Sequence, residues 1–327
     1  MTGEPFVIGV DVGGTKVAVA GMRGGVIGEP LVKPTDRSGA DGLIAQIVSE
    51  IEEVAAGESP AAVGIGIPSV VEWATGRARN TTNLPLRDVP LRSFMGDRLG
   101  LPVFVDNDAT VAALAEVHDE SGLLNVRSLV MITVGTGIGA GIVIDGRAYR
   151  GATGAAGEIG HTLIAIEQSI PPATGHFPQP GSLEAMGAGH VLDRLAREAA
   201  QRHPDSALGR VLAQRGAVAG PDAVRAAKAG DEVAIECVAV LGRRLGIGVA
   251  NVINTFDPEV VAIGGGVSSA GDLLLGPLRA VALDYVLPGV GSATEIRVAR
   301  SGPDAGVRGA ALLARSELKN SKNGEAK

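Results

Sequence analysis

The chain has 327 residues, 45% hydrophobic but only 2% aromatic, and 36 acidic against 29 basic side chains give it a net charge of −7. That acidic balance argues against a general nucleic-acid surface, and the single cysteine, Cys237, excludes an intrachain disulfide and any multi-cysteine zinc site. No apolar run reaches the roughly 18 residues of a membrane span, and the first residues lack a basic segment followed by an apolar one, so the expectation is a soluble cytoplasmic protein of about two domains.

In chain order, β-branched runs predict strands at 6–12 and 15–21, joined across Gly13-Gly14, and a further strand at 26–32. Glycine at both turn positions allows φ > 0 and leaves bare backbone N–H groups open to an anion. Asp11, just before the turn, is suited to holding a Mg²⁺ that bridges phosphates; the plainer alternative is a hairpin with a solvated acid. Helical periodicity follows at 41–56, then a strand at 62–67, a helix at 89–99, a strand at 102–105 and a helix at 109–121. Strands at 128–134 and 140–145 flank a second Gly-rich turn, Gly135-Thr136-Gly137. A strand is expected at 161–166, then a Pro-rich loop over 167–181. Helices at 185–202, 220–228 and 231–255, a strand at 259–263, helices at 271–286 and 304–317, and a polar tail from 318 to 327 complete the chain. The alternation reads as α/β with mixed sheets, and the repeated strand–glycine turn–strand unit suggests two related halves.

Gly135 to Ala140 fits G-x-G-x-x-A, but a strand follows where a dinucleotide fingerprint must open a helix, and no Walker A loop occurs. In LPVFVDNDATVAALAE a buried strand ends before Asp106-Asn107-Asp108 and a helix. Either Asn107 or Asp108 can cap that helix; alternatively Asp108 is a general base beside a hydroxyl, with Asn107 bonded to the same polyol. GAAGEIGH sets Glu158 and His161 three apart among small residues, either around a ligand or as a solvated acid and a satisfied histidine. Glu184 opens the helix after the long loop, where an acid also suits the helix dipole. Gly265 and Gly266 follow an apolar strand, where a ring or phosphate can lie on bare backbone.

The order DVGGTK, GIGIPS, NTTNL, DNDA, TVGTGIGAGIVIDG, AGEIGH, LEAMGAG, IGGGVS, DAGVRGAA, over about residues 6 to 316, resembles the ROK family (repressors, open reading frames and sugar kinases) of the hexokinase–actin superfamily. The resemblance implies an α/β fold of two ribonuclease-H-like (actin/hexokinase-type) domains with mixed sheets around a central cleft. It divides the chain into an N-terminal domain, 1–117, completed by the helix 304–317, and a larger domain, 118–303. It implies ATP and Mg²⁺ as cofactors: Asp11 on the metal, Gly13, Gly14, Thr15 and Lys16 facing the triphosphate, Thr136 and Gly137 as a second phosphate turn, and Gly265 and Gly266 by the adenosine. Asn83, Asn107, Glu158, His161 and Glu184 would bind sugar hydroxyls, and Asp108 would take the proton of the attacking hydroxyl, O6 of a hexose. A homodimer acting on a small-molecule sugar, without nucleic acid or membrane, is implied as well.

Two departures stand out. Zinc-containing members carry cysteines between the His161-like and Glu184-like positions, where this chain has Gly175, Phe177 and Ser182; none offers a thiolate, so no zinc is expected. Ser69-Val70-Val71-Glu72 replaces the Gly-Pro-Val-Asp frequent in relatives and bears on substrate choice. The leading expectation is an ATP-dependent hexose kinase of glucokinase type, with an amino-hexose such as kanosamine as an alternative acceptor and polyphosphate as an alternative donor. The contrasting class is a sugar-responsive regulator, which in this family carries a helix-turn-helix ahead of the DVGGT hairpin; only eight residues precede Gly9 here. A third alternative is a sugar-binding pseudokinase, which turnover would distinguish.

Overall fold

The computed structural model describes residues 4–81, 83–165 and 175–322. The chain divides into two compact units, one of Met1–Leu129, Gly141–Gly157 and Arg300–Lys327, the other of Val130–Ala140 and Glu158–Ala299.

The first unit is built on β1 (Val7–Val12), β2 (Lys16–Arg23), β3 (Val26–Ile27), β4 (Leu31–Pro34), β5 (Ala62–Ile67) and β8 (Val103–Asn107). Their order is β3-β2-β1-β5-β8, with β4 also paired to β2. The hairpin β1–β2 is antiparallel, whereas β5 runs parallel to both β1 and β8. Strand alternation decides what covers each face. Ile8, Val10 and Val12 join a core with Leu43, Ile44, Ile47 and Ile51 of α1 (Ala40–Ala55) and with Leu91 and Met95 of α2 (Leu91–Leu99). Each such large apolar side chain contributes roughly 1.5–3 kcal/mol on burial. The opposite parity, Val7, Gly9 and Asp11, faces α10 (Ala305–Lys322): Val7 packs with Ala311, Leu312 and Leu318, and a Cβ on Gly9 would strike the Val307 carbonyl. Helix α3 (Asp108–Val117) follows β8 directly, and a short hairpin of β6 (Ser69–Glu72) and β7 (Arg77–Thr81) projects between β5 and α2.

The second sheet runs β11-β10-β9-β12-β13, with β9 Leu129–Val134, β10 Ile138–Ile144, β11 Arg147–Ala148, β12 Val260–Gly264 and β13 Glu295–Val298. The helices of the second unit are α4 (Leu183–Gly187), α5 (Gly189–Arg202), α6 (Ala207–Arg215), α7 (Gly220–Lys228), α8 (Glu232–Phe256) and α9 (Asp272–Tyr285). Asp231 caps α8 by accepting the Ala234 N–H at 2.9 Å. Leu241, Leu245 and Val249 are buried along α8, whose Gly242 and Gly246 lie against the Leu274 and Leu278 carbonyls of α9.

Several expectations are corrected. Residues 161–165 form no strand: a 3-10 turn occupies Ile159–His161, and only a bridge from Leu163 to Ser182 follows. Of the Pro-rich loop, 167–174 lies outside the described residues, as does residue 166 of the expected strand. The β6–β7 hairpin, α6 and β13 were not expected. The polar tail does not begin at 318, because α10 continues to Lys322 and Leu318 is buried on β1 and β2. Gly13 and Gly14 do not take positive φ; the space beside Gly14 matters instead, since a Cβ there would lie 3.2 Å from the Asn83 Cβ.

Candidate active site

Among the residues of the first unit, β1 and β8 end side by side across β5, with Asp11 opposite Gly66 and Gly66 opposite Asp106. Asp11 therefore stands near the start of α3. Gly306, in the first turn of α10, lies so close to the Asp11 carboxyl that a Cβ there would clash with it. Burial, reinforced by the negative charge of Asp108 and opposed by Lys16, pushes the Asp11 carboxyl up to about 6. Asp108 is raised for the same first reason, burial, with hydrogen bonds from Ala109 and Asn107 pulling the other way. A buried carboxyl raised further by a neighbouring acid is a poor arrangement for an empty protein and a good one for a cation, whose charge favours the ionised form.

Asn107 realises the capping alternative. Its Oδ1 accepts from the Ala109 and Thr110 N–H groups at 2.9 and 3.2 Å, and its Nδ2 donates to the Ser69 carbonyl at 3.2 Å, which ties β8 to the hairpin β6–β7. Asp108 takes a second bond from the Ala109 N–H at 2.8 Å. The Gly13–Lys16 turn is closed by Gly13 N–H to the Lys16 carbonyl at 2.9 Å, and Thr35 and Arg37 hold the Gly13 and Gly14 carbonyls. Thr15 and Lys16 are exposed at its tip, and Asn83, with φ of 64°, is exposed beside Gly14.

In the second unit the Gly135–Gly137 turn is closed by Gly135 N–H to the Gly137 carbonyl at 2.9 Å and carries the exposed Thr136. Glu184 comes to this turn: its Oε2 accepts the Ile138 N–H at 2.7 Å, and any Cβ on Gly137 would collide with its carboxylate. Ser182, fully buried, caps α4 by accepting the Ala185 N–H at 3.3 Å and so fixes the helix that carries Glu184. Glu158 and His161 are exposed with Oε2 and Nε2 3.7 Å apart, and the Phe177 ring meets His161 edge-on at 5.5 Å. Phe177 and Ser182 thus pack a ring and cap a helix. Gly265, at φ 83° and against the Val134 backbone, admits no side chain.

A pocket of about 370 Å³ lies between the Gly135–Gly137 turn, the first turns of α5 and α7, and the 3-10 turn starting at Gly266. Its polar wall comes from His190, Asp193 and Ser269. Asp193 Oδ1 accepts the Gly220 N–H at 2.6 Å, which joins α5 to α7. Sequence reading passed over His190 and Asp193, although their i, i+3 spacing at the start of a predicted helix places them on one face. Among the described residues no three His, Cys, Asp or Glu side chains gather as a metal cluster, and no helix is long and apolar enough to cross a membrane.

The ROK family model matches residues 7–317. The glucokinase of Halalkalibacterium halodurans is 35% identical over 98% of both chains. A solved ROK glucokinase from Streptomyces griseus, in complex with glucose and AMPPNP, is 32% identical with a TM-score of 0.77 over 95% of this chain and 99% of that one. The ROK hexokinase from Thermus thermophilus is 34% identical, with a TM-score of 0.77 over 96% and 99%. The chain belongs to the ROK family, among its sugar kinases.

Proposed function

We propose that this protein transfers the γ-phosphoryl group of ATP to the 6-hydroxyl of a hexose, in the manner of a glucokinase. The observation that carries the reading is the pair Asp11 and Asp108, half-buried in one unit, with Asp108 on the first residue of α3 and raised by burial. A carboxyl shifted toward neutral pH is the better base for a hydroxyl that gives up its proton late. The O6–phosphorus bond forms as the bond from γ-phosphorus to the bridging oxygen breaks, ADP leaves, and the O6 proton passes to the Asp108 carboxylate.

Phosphoryl transfer asks mainly for in-line positioning and charge neutralisation. Asp11 fits a Mg²⁺, directly or through water, because a cation beside it restores the ionised carboxylate that burial disfavours. When bound, Mg²⁺ would supply neutralisation of phosphate charge. Gly13, Gly14, Thr15 and Lys16 are proposed to face the triphosphate. Thr136, Gly137, Gly265 and Gly266 border or adjoin the α5–α7 pocket, whose volume suits a nucleoside and which a polyphosphate donor would leave unused. Asn83, Asn107, Glu158, His161 and Glu184 are proposed to bind sugar hydroxyls. Glu184 does so with a carboxylate already oriented by Ile138. The family resemblance also supports a homodimer in the cytoplasm.

Coupled ADP release over glucose, mannose, N-acetyl sugars and 3-amino-glucose, repeated with polyphosphate, tests donor and acceptor together. Asp108→Asn should leave glucose binding largely intact and lower kcat by roughly 10²-fold or more. Near-full turnover by that variant would remove Asp108 as the base.

A further inference from the structure

Directly behind Asn107 and Asp108 lies a buried charge network that the proposed chemistry leaves unused. Asp106, 3% exposed, accepts its neighbour's Asn107 N–H with one carboxylate oxygen at 2.9 Å and the Arg150 Nε–H with the other at 2.7 Å. Arg150 Nη2 also reaches Glu317 of α10 at 3.1 Å. Its guanidinium lies over the ring of Trp73, the chain's one tryptophan, 3.4 Å from the centroid. Arg92 stands 5.0 Å from the same centroid and donates to the Trp73 carbonyl at 2.7 Å. Two guanidiniums and two carboxylates thus balance around one indole in the first unit, joining the β6–β7 turn, β8 and α10.

We propose that Arg150 is a positioning residue for phosphoryl transfer, holding the Asp106 carboxylate against the Asn107 N–H so that the β8–α3 junction presents Asp108 in a fixed direction. The proposal rests on the reading of Asp108 as base. Stability alone gives little reason for such a pair, because apolar side chains of similar volume usually serve as well at a buried site. A charged pair adds direction: guanidinium and carboxylate bond along fixed lines. Here one of those lines ends on the peptide that joins Asp106 to Asn107. Asn107 in turn makes the N-cap bonds of α3 and the Ser69 link. Releasing Asp106 frees the 106–107 peptide to turn, and with it both the cap and the following carboxylate. Asp106→Asn is informative because its amide, in either orientation, sets a donor against the Arg150 Nε–H or the Asn107 N–H.

The test compares Arg150→Met, Arg150→Lys, Asp106→Asn and the double variant Asp106→Asn/Arg150→Met with Asp108→Asn, each assayed with glucose and MgATP after thermal melting has shown a folded chain. Arg150→Met and Asp106→Asn should each lower kcat by about 10- to 100-fold, the scale of a small misplacement, while the glucose Kd moves by less than about threefold. Arg150→Lys, which restores the charge without the fixed directions of the guanidinium, should recover only part of the loss. The double variant, which removes both members of the Asp106–Arg150 pair, should lose no more than the worse single one. The proposal is overturned if Arg150→Met keeps kcat within about twofold of the parent while Asp108→Asn is inactive, if the loss falls on glucose affinity, or if Arg150→Lys is as impaired as Arg150→Met. Full turnover by Asp108→Asn removes the reading beneath it instead, so the two failures are told apart.

Discussion

Replacing Asp11 with Asn should make the metal-free protein more stable at neutral pH while abolishing its catalysis. The carboxyl is raised from 3.8 to about 6, a gap of about 2.2 pH units, which at about 1.4 kcal/mol per unit comes to about 3 kcal/mol. A raised carboxyl means that the native state holds its proton more tightly than the unfolded chain does. Its contribution is therefore complete below the unfolded value near 4 and is lost as pH rises through about 6. Asn keeps the shape and has no proton to lose. In EDTA, thermal midpoints of parent and Asp11→Asn should lie together near pH 4 and separate between about 4 and 6, the variant melting higher above that window. Added Mg²⁺ should then raise the parent and leave the variant unmoved, since ligand that binds only the native state stabilises it by mass action. A difference between the two proteins that stays constant from pH 4 to 7.5 would refute both the shift and its assignment to Asp11.

Asp193→Ala should raise the KM for ATP several-fold and leave the KM for glucose unchanged, because its carboxylate joins α5 to α7 along the pocket proposed for the nucleoside; equal effects on both substrates would count against that pocket. An amino-hexose should be phosphorylated at least as efficiently as glucose, since Glu158 is exposed with His161 3.7 Å away and an ammonium group bonds a carboxylate more strongly than a hydroxyl does. Comparing kcat/KM for the two sugars at pH 7 decides it, a large preference for glucose going against the expectation. Metal analysis should find no stoichiometric zinc, because Gly175, Phe177 and Ser182 supply no thiolate; one zinc per chain would require a different ligand set.

The hairpin β1–β2, strand β5, the β8–α3 junction and the β9–β10 turn were all legible, because each is a β-branched run ended by glycine, by proline or by a capping residue. Helix α6 went unread although Ser206 caps it and Gly216 stops it in the left-handed region; its apolar set, Leu208, Val211 and Leu212, spans little more than one turn. Strand β13, EIRV, alternates charge with apolar character, and its Arg297 is nonetheless 7% exposed. Over 161–165 the expected strand does not form because its apolar run follows Glu158-Ile159-Gly160-His161, where Gly160 packs on the Ile138 backbone and the chain turns as a 3-10 segment. Of the candidate site, Asp11, Asn107 and Asp108 could be picked from their places at strand ends. The docking of Glu184 on Ile138 and the Arg150–Asp106 pair could not, since each joins segments more than forty residues apart. Asp106 sat in view within Asp106-Asn107-Asp108, but only the fold shows which of the two acids is paired.

The first unit is assembled from three separated stretches, and β1 receives α10 from the far end of the chain. On a ribosome the strand carrying Gly9 and Asp11 emerges long before the helix that covers them. Until then Val7 and its neighbours on that face have no lid, and Asp11 has neither its enclosure nor its raised proton affinity. Residues 158–299, by contrast, form one unbroken stretch of the second unit. Synthesis therefore favours the second unit closing early and the first waiting, with an apolar strand face offered to chaperones or to sister chains in the interval. A ribosome stalled before residue 305 would display that interval as a fixed state, with the carboxylate proposed for the metal still open to water.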